Sequence, residues 1–433
     1  MTTDLTPDFM ALSQLKELQQ RRWLAQSSYV AGASPFFQAL WQGIIPHQQL
    51  EDLPELPLSD KSMLRTSQQD HPPFGNYLAS CGALVNRLHR TSGTTGQAMN
   101  LALSAKDALQ TAAIGARAQS AAGLGAEDRV IHCLNYQMWM GGFTDHCTLE
   151  ATGAMVVPYG IGGTERLIRT IQELKITAIS CTPSYPKVLE QVIAEKFTGL
   201  APRDLGLKLG LFGGEAGLDD PVYRKRLEDT WGFQVRNANY GISDVFCNFA
   251  SQCSHNNDLH FVALDVLYAE LIDPDTTRPL DWSEGTTGEL VLTHLEKECQ
   301  PLVRFRTGDI ITLTGVDKPC TCGRTAPRFR VVGRNDDMIV VRGLNIFPTG
   351  LAATLHTFNK LSGEYRVMLE GPGPYDLLPL EAEMAEGVRA SKPLEDEITH
   401  AIKHDLGATA KVILLEYGAL PRTEGKTRRV IRT

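Results

Sequence analysis

The sequence lacks the marks of several large protein classes. None of its apolar runs approaches the ~20 residues needed to cross a bilayer. Its first residues, MTTDLTPDFMALSQLKELQQRRW, have no basic stretch followed by an apolar core, so they do not read as an export signal. A cytoplasmic chain with no membrane partner is expected. Positive charge is not in excess either: 42 Lys and Arg stand against 50 Asp and Glu, a formal charge of −8. That balance excludes the basic footprint of a nucleic-acid binder. Nine cysteines are an odd number, scattered from Cys81 to Cys322. They make a poor secreted disulfide framework and are better read as reduced thiols or metal ligands. There is no internal repeat and no low-complexity segment.

What is present is enough chain for more than one core. At 433 residues, two or more domains are expected. From about residue 128, apolar β-type runs recur at DRVIHCLNY, GAMVVPYG, ITAISCTP, LKLGLFGGE and FQVRNANYG, with segments of helical length between them. This rhythm predicts βαβ crossovers, hence an α/β fold whose mostly parallel sheet is flanked by helices and binds ligands at the carboxyl ends of its strands. After Cys253 the strands shorten, as in LHFVALDVLYAELID and GELVLTHL, which predicts an antiparallel β subdomain. The last ~100 residues suffice for a small α+β domain. The expected division is 1–335 and 336–433.

One stretch has the composition of a phosphate loop but not its usual charge. RTSGTTGQAMN, Arg90 to Asn100, groups Thr91, Ser92, Gly93, Thr94, Thr95 and Gly96, whose backbone and hydroxyl donors suit an anion. It has no lysine, and Gln97 follows it. The P-loop pattern G-x-x-x-x-G-K-[ST] is absent: at Gly425-Lys426-Thr427 the residue five before Gly425 is Leu420.

That loop is followed, in order, by NANYGISD at 237–244, RFRTGD at 304–309, GRNDDMIVVRGLN at 333–345 and PRTEGK at 421–426. With these five motifs the chain resembles the adenylate-forming acyl-CoA synthetase superfamily, and within it the phenylacetate–CoA ligase-like branch, over nearly its whole length. The resemblance implies an ATP-dependent aryl-acid–CoA ligase. A small aromatic carboxylate of the phenylacetate, anthranilate or benzoate kind would attack the α-phosphate of ATP, release pyrophosphate, and pass from aryl-AMP to the thiol of coenzyme A. Mg2+ would bridge phosphate oxygens.

Residue by residue, the resemblance implies that Thr91 to Gly96 hold the outer phosphates. Gly213, Gly214, Glu215 and Ala216, with Tyr240, would frame the adenine, and Asn239, Gly241 and Ser243 of the same motif would belong to the nucleotide site. Asp309 would accept hydrogen bonds from the ribose hydroxyls, and Arg334 would hold the ribose–phosphate end. Lys426 would bridge the substrate carboxylate and the α-phosphate. Asp336 matches the hinge of a mobile C-terminal domain that carries this lysine. Asp244 departs from the family, which usually has glutamate at the end of YGxSE or YGxTE; aspartate keeps the charge toward the magnesium and shortens its reach.

Two further groups stand out. CSHNNDLH, 253–260, and CTCGRTAPR, 320–328, supply Cys253, His260, Cys320 and Cys322, a set suited to tetrahedral zinc, with His255 competing with His260. Some members of the resembled branch carry a structural zinc at comparable positions. NYQMWMGGFTDH, 135–146, lies where the family builds its acyl pocket, and Tyr136, Trp139, Met140, Gly142 and the Gly213-Gly214 turn would shape a flat slot. His89, His132 and His146 read as ordinary packing residues. Rival functions are loading of a carrier-protein thiol and nucleotide binding without catalysis. A downstream acyl-transferring enzyme or carrier protein is the expected partner, and the chain is expected to be a monomer or homodimer.

Overall fold

A computed structural model describes residues 6–42, 49–91, 98–215, 217–342, 344–371, 373, 375–421 and 429–432. The described chain forms two compact units. One comprises Met1–Gly214 and Thr230–Val331, the other Glu215–Asp229 and Val332–Thr433. Among the described residues no helix is long and apolar enough to cross a membrane.

The first unit opens with α1 (Leu12–Ala33), α2 (Pro35–Trp41) and α3 (Lys61–Asp70), then a hairpin of β1 (Arg87–Arg90) and β2 (Asn100–Leu103). The Ala-rich α4 (Ala105–Ala122) follows. Ser104 and Asp107 cap it reciprocally and Gly123, at φ +108°, ends it. The five alternating runs then become β3 (Arg129–His132), β4 (Met155–Pro158), β5 (Ala178–Cys181), β6 (Leu209–Gly213) and β7 (Gln234–Ile242), all parallel. Between them in the chain come α5 (Asp145–Ala151), α6 (Thr164–Leu174), α7 (Tyr185–Lys196) and α8 (Pro221–Trp231), the last of which falls almost wholly in the second unit. β5 is buried at every position and β3 at three of its four. Such strands, covered on both faces, read as continuous apolar runs.

The chain then turns antiparallel through β8 (Phe246–Cys253), β9 (Asn256–Phe261), β10 (Leu267–Ile272), β11 (Pro279–Leu280), β12 (Thr287–His294), β13 (Phe305–Gly315) and β14 (Arg328–Arg334). These strands are the antiparallel part expected after Cys253, but they do not stand apart as a sheet of their own. β8 hydrogen-bonds to β7, so a single twelve-stranded sheet runs β11-β10-β12-β13-β14-β9-β8-β7-β6-β5-β3-β4. The switch comes at the 242–246 turn, where the parallel series ends. The antiparallel part surrounds the largest apolar cluster, built around Phe246, Phe249, Phe261, Phe305 and Phe329. Asp107 binds α4 to this half by accepting from the backbone N–H groups of Glu298 and Cys299.

The strand order fixes where ligands fit. β3 has β4 on one side and β5 on the other, so the connection leaving β3 for β4 and the one leaving β5 for β6 run in opposite directions. The crevice at the carboxyl ends of β3 and β5 is the switch point at which open α/β sheets bind ligands.

The second unit contains β15 (Ile339–Val341), β16 (Leu344–Ile346), α9 (Pro348–His356), β17 (Leu361–Leu369), β18 (Leu378–Met384), α10 (Lys392–Leu406), β19 (Ala410–Leu415) and β20 (Val430–Arg432). Its four-stranded sheet runs β19-β18-β17-β20. Leu351, Leu355, Ile398 and Ile402 of its helices share a core with Val367, Leu369, Leu380 and Ala382 of its strands.

Candidate active site

The carboxyl ends of β6 and β7 bring together much of the nucleotide set. Gly213 pairs with Asn239, and Gly214 follows at φ +82°. Tyr240 packs its ring edge-on to Phe249 and Phe329 and donates its hydroxyl to Asp309 Oδ2 at 2.7 Å. Asp309 is buried, and its N–H bonds to Thr307 Oγ1 at 3.1 Å. The 2.7 Å bond therefore joins β7 to β13 in the first unit. Gly241 cannot carry a side chain: a Cβ there would lie 1.8 Å from the carbonyl oxygen of Cys247. Thr91, first of the residues expected to hold phosphate, pairs with Met99: its N–H bonds Met99 O and its hydroxyl accepts from Met99 N–H. Ser92, Gly93, Thr94, Thr95, Gly96 and Ala216 lie outside the described residues.

Ser243 and Asp244 form the turn between β7 and β8. Asp244 is buried, and its Oδ2 accepts a 2.7 Å charged hydrogen bond from Lys61 Nζ at the start of α3. Its Oδ1 has no partner among the described residues. A buried carboxylate oxygen without a donor is costly, which makes Oδ1 able to take a cation or a water.

At the switch point, the 135–146 segment leaves β3 and enters α5 through a π-helical turn, Met140–Thr144. Gly142 lets this turn approach its own entry; a Cβ would stand 2.2 Å from Asn135 O. His132 Nε2 lies 3.1 Å from the carbonyls of both Gly141 and Gly142, so it carries the proton and Nδ1 accepts from Ser180. Burial holds His132 down to about 4, and the ring stays neutral. The half-buried Tyr136 hydroxyl meets His146 Nδ1 at 3.0 Å, and His146 Nε2 meets Glu150 at 3.1 Å. Trp139 is half-buried just before the π turn. Met140 does not line a slot: it is buried with Leu101, Leu103, Ala108 and Cys247, because the turn directs it into the core.

Beneath this segment, Asp145 accepts from the thiol of Cys247 at 2.8 Å and from the amide of Asn239. Complete burial pushes its carboxyl up to about 7 against those two hydrogen bonds.

Glu215, Arg334 and Asp336 belong to the second unit. Arg334 Nε bonds Asp336 Oδ1 at 2.8 Å, so the residues expected at the ribose–phosphate end and at the hinge are ion-pair partners. Lys426 lies outside the described residues, but the chain is anchored on either side of it. Leu420 N–H bonds the buried Glu383 at 2.8 Å, and Arg429 pairs with Glu364 at 2.6 Å over the ring of Tyr365.

Away from these residues, Cys253, His260, Cys320 and Cys322 place their four ligand atoms within 4.8 Å of one another. Cys253 and Cys320 sulfurs are 3.9 Å apart, and Cys322 Sγ is 3.8 Å from His260 Nε2. Sulfur atoms so separated are not disulfide-bonded. Tetrahedral zinc with ~2.3 Å bonds to sulfur requires edges of about 3.8 Å, so the donor set fits the ion. Burial, then the charges of Arg324 and Arg328, hold His260 down to about 4, leaving a neutral imidazole for a metal. His255 is exposed and bonds Ser254 instead.

Comparison with known proteins places this geometry. The family model of the AMP-binding enzyme matches residues 88–294, and that of the AMP-binding enzyme C-terminal domain matches 343–433. The phenylacetate–coenzyme A ligase of Thermus thermophilus is 34% identical, covering 96% of each chain. That of Escherichia coli is 30% identical, covering 99% of this chain and 97% of its own. The chain belongs to the phenylacetate–coenzyme A ligase family of AMP-binding enzymes. Among solved structures, a 2-hydroxyisobutyryl-CoA ligase in its postadenylation state, holding 2-HIB-AMP, superposes with a TM-score of 0.88 at 29% identity. The match covers 99% of this chain and 91% of that one.

Within this family frame, the sequence reading passed over three residues. Lys61 is a lone lysine 183 positions from its partner Asp244, and Asp145 sits in a run with no charge pattern. His146, set aside as packing, holds the Tyr136 hydroxyl. The only local signal for Lys61 was the Asp60 N-cap, whose side chain accepts from Met63 N–H.

Proposed function

We propose that the chain is an ATP-dependent, AMP-forming aryl-acid–CoA ligase. The observation that carries this reading is whole-length similarity to phenylacetate–CoA ligases, combined with the Tyr240–Asp309 pair at the carboxyl edge of the sheet. In the first half-reaction an acid oxygen bonds to the α-phosphorus of ATP and the bond to the leaving pyrophosphate breaks. In the second, the CoA sulfur bonds to the acyl carbon and AMP leaves.

Asp309 serves as acceptor for the ribose hydroxyls, with Tyr240 fixing the carboxylate. Thr91 to Gly96 supply donors to the outer phosphates. Tyr136 and Trp139, beside the β3/β5 switch point, take the acyl group, with Gly142 admitting the close turn of backbone. Lys426 is the cation for the α-phosphate step, on a C-terminal domain of residues 336–433 that alternates about Asp336. Mg2+ would neutralise phosphate charge, and the unpartnered Asp244 Oδ1 would help to hold it. Zinc on Cys253, His260, Cys320 and Cys322 is structural, since all four positions are taken by protein. CoA is favoured over a carrier protein as acceptor because the compared relatives are CoA ligases.

Acid-dependent exchange of labelled pyrophosphate into ATP, measured without CoA across aromatic and short aliphatic acids, tests the reading. Exchange with an arylacetic or benzoic acid is expected. Absence of exchange with every acid would remove the proposed activity.

A further inference from the structure

The nucleotide loop has no lysine, and the structure points to where the charge stands instead. Resting on the ATP-dependent reading above, we propose that Lys61 is the fixed cation that meets the β- and γ-phosphates of ATP, and that Asp244 is the positioning residue that holds it.

Lys61 is the first residue of α3, fixed there by the Asp60 cap. Its ammonium bonds Asp244 Oδ2 at 2.7 Å, and the two side chains differ sharply in exposure: 36% for Lys61 and 3% for Asp244. The carboxylate is therefore inside and the ammonium stands between it and solvent. An anion arriving from solvent meets the ammonium first. The bond to Asp244 uses one of its three donors.

The rest of α3 continues the same character. Arg65 and Gln68 follow at i+4 and i+7, on the face that carries Lys61. With Arg90 and Asn100 they line a cleft of about 220 Å3 beside the base of the phosphate loop. Arg65 and Arg90 thus border one cleft, and Lys61 stands one helical turn from Arg65, so positive charge gathers at this end of α3.

The pair is also poorly explained as a device for stability. A half-exposed lysine contributes little to folding, while Asp244 keeps one buried oxygen unpartnered. The aspartate that ends YGISD fits this role: one methylene shorter than glutamate, it leaves space in front of it for the lysine. Oδ2 anchors Lys61, and Oδ1 remains for a cation.

Binding of ATP and of AMP to the full-length chain in EDTA, by calorimetry, tests the proposal without metal or turnover. Lys61→Met is expected to weaken ATP by about tenfold or more and to leave AMP within about twofold, with Lys61→Arg retaining most of the ATP affinity. Asp244→Asn should also weaken ATP selectively, and the double variant should be no weaker than Lys61→Met alone, since both act through one ammonium. Equal weakening of ATP and AMP, unchanged ATP affinity in Lys61→Met, or additive losses in the double variant would overturn it. Acid-dependent pyrophosphate exchange by the wild type separates the two failures: exchange with an unaffected Lys61→Met defeats only the role of Lys61, while no exchange defeats the ligase reading.

Discussion

The hydroxyl of Tyr240 donates to Asp309 Oδ2 across 2.7 Å, binding the last parallel strand to an antiparallel strand 69 residues on. The carboxylate is thereby fixed before any ribose arrives. Asp309→Ala should raise the KM for ATP in pyrophosphate exchange by about 100-fold, since it removes a charged acceptor. Tyr240→Phe keeps the ring contacts and loses one hydrogen bond, so a rise of only about fivefold is expected. Similar effects from both would assign the site's energy to the ring.

Asp145 gives a pH dependence with a defined sign. Its carboxyl lies at about 7 in the fold and near the ordinary carboxylate value when unfolded. Between roughly pH 4 and 7 the folded state thus holds the extra proton, and stability falls as pH rises through that window. Asp145→Asn removes the titration. Chemical denaturation should show the variant gaining on the wild type by on the order of 2 kcal/mol between pH 5 and pH 7. A constant difference would contradict this origin.

The Cys/His cluster should contain one zinc per chain by elemental analysis of protein purified without chelator. Cys320→Ser should lose the metal and lower the melting temperature, whereas His255→Ala should retain both. Markedly less than one equivalent in the wild type would count against the site.

Gly241 is held by contact with the backbone. Gly241→Ala would force a methyl group onto the Cys247 carbonyl and shift the 242–246 turn that carries Asp244. A loss of about 3 kcal/mol in folding stability is expected. An unchanged denaturation midpoint would show that the turn relaxes freely.

Lys426→Ala should abolish aryl-adenylate formation while leaving much of the transfer from preformed aryl-AMP to CoA, because under the proposed alternation the lysine serves the first half-reaction alone. Equal loss of both half-reactions would reject the alternation about Asp336.

Much of this was legible in the sequence because it depends on local pattern. The runs of VIH, MVV, AIS and LGLF become β3 to β6 within a few residues of expectation, since buried parallel strands carry continuous apolar residues. The ordered motifs also brought Tyr240 and Asp309 to notice. What was not legible depends on partners distant in the chain. β8 continuing the parallel sheet could not be read from its strand-like composition, and no local rule brings Lys61 to Asp244 or Cys247 to Asp145. Met140 shows a further limit. It stands in the expected pocket motif, but a π-helical turn sends its side chain into the core.

The most direct test of the account is product analysis with purified enzyme, Mg·ATP, phenylacetate and CoA, followed by the same reaction with other aromatic acids. Acyl-CoA thioester, AMP and pyrophosphate should appear in equal amounts for at least one aromatic acid, with aryl-AMP accumulating when CoA is withheld. Release of ADP and phosphate, or no thioester from any aromatic acid, would contradict it.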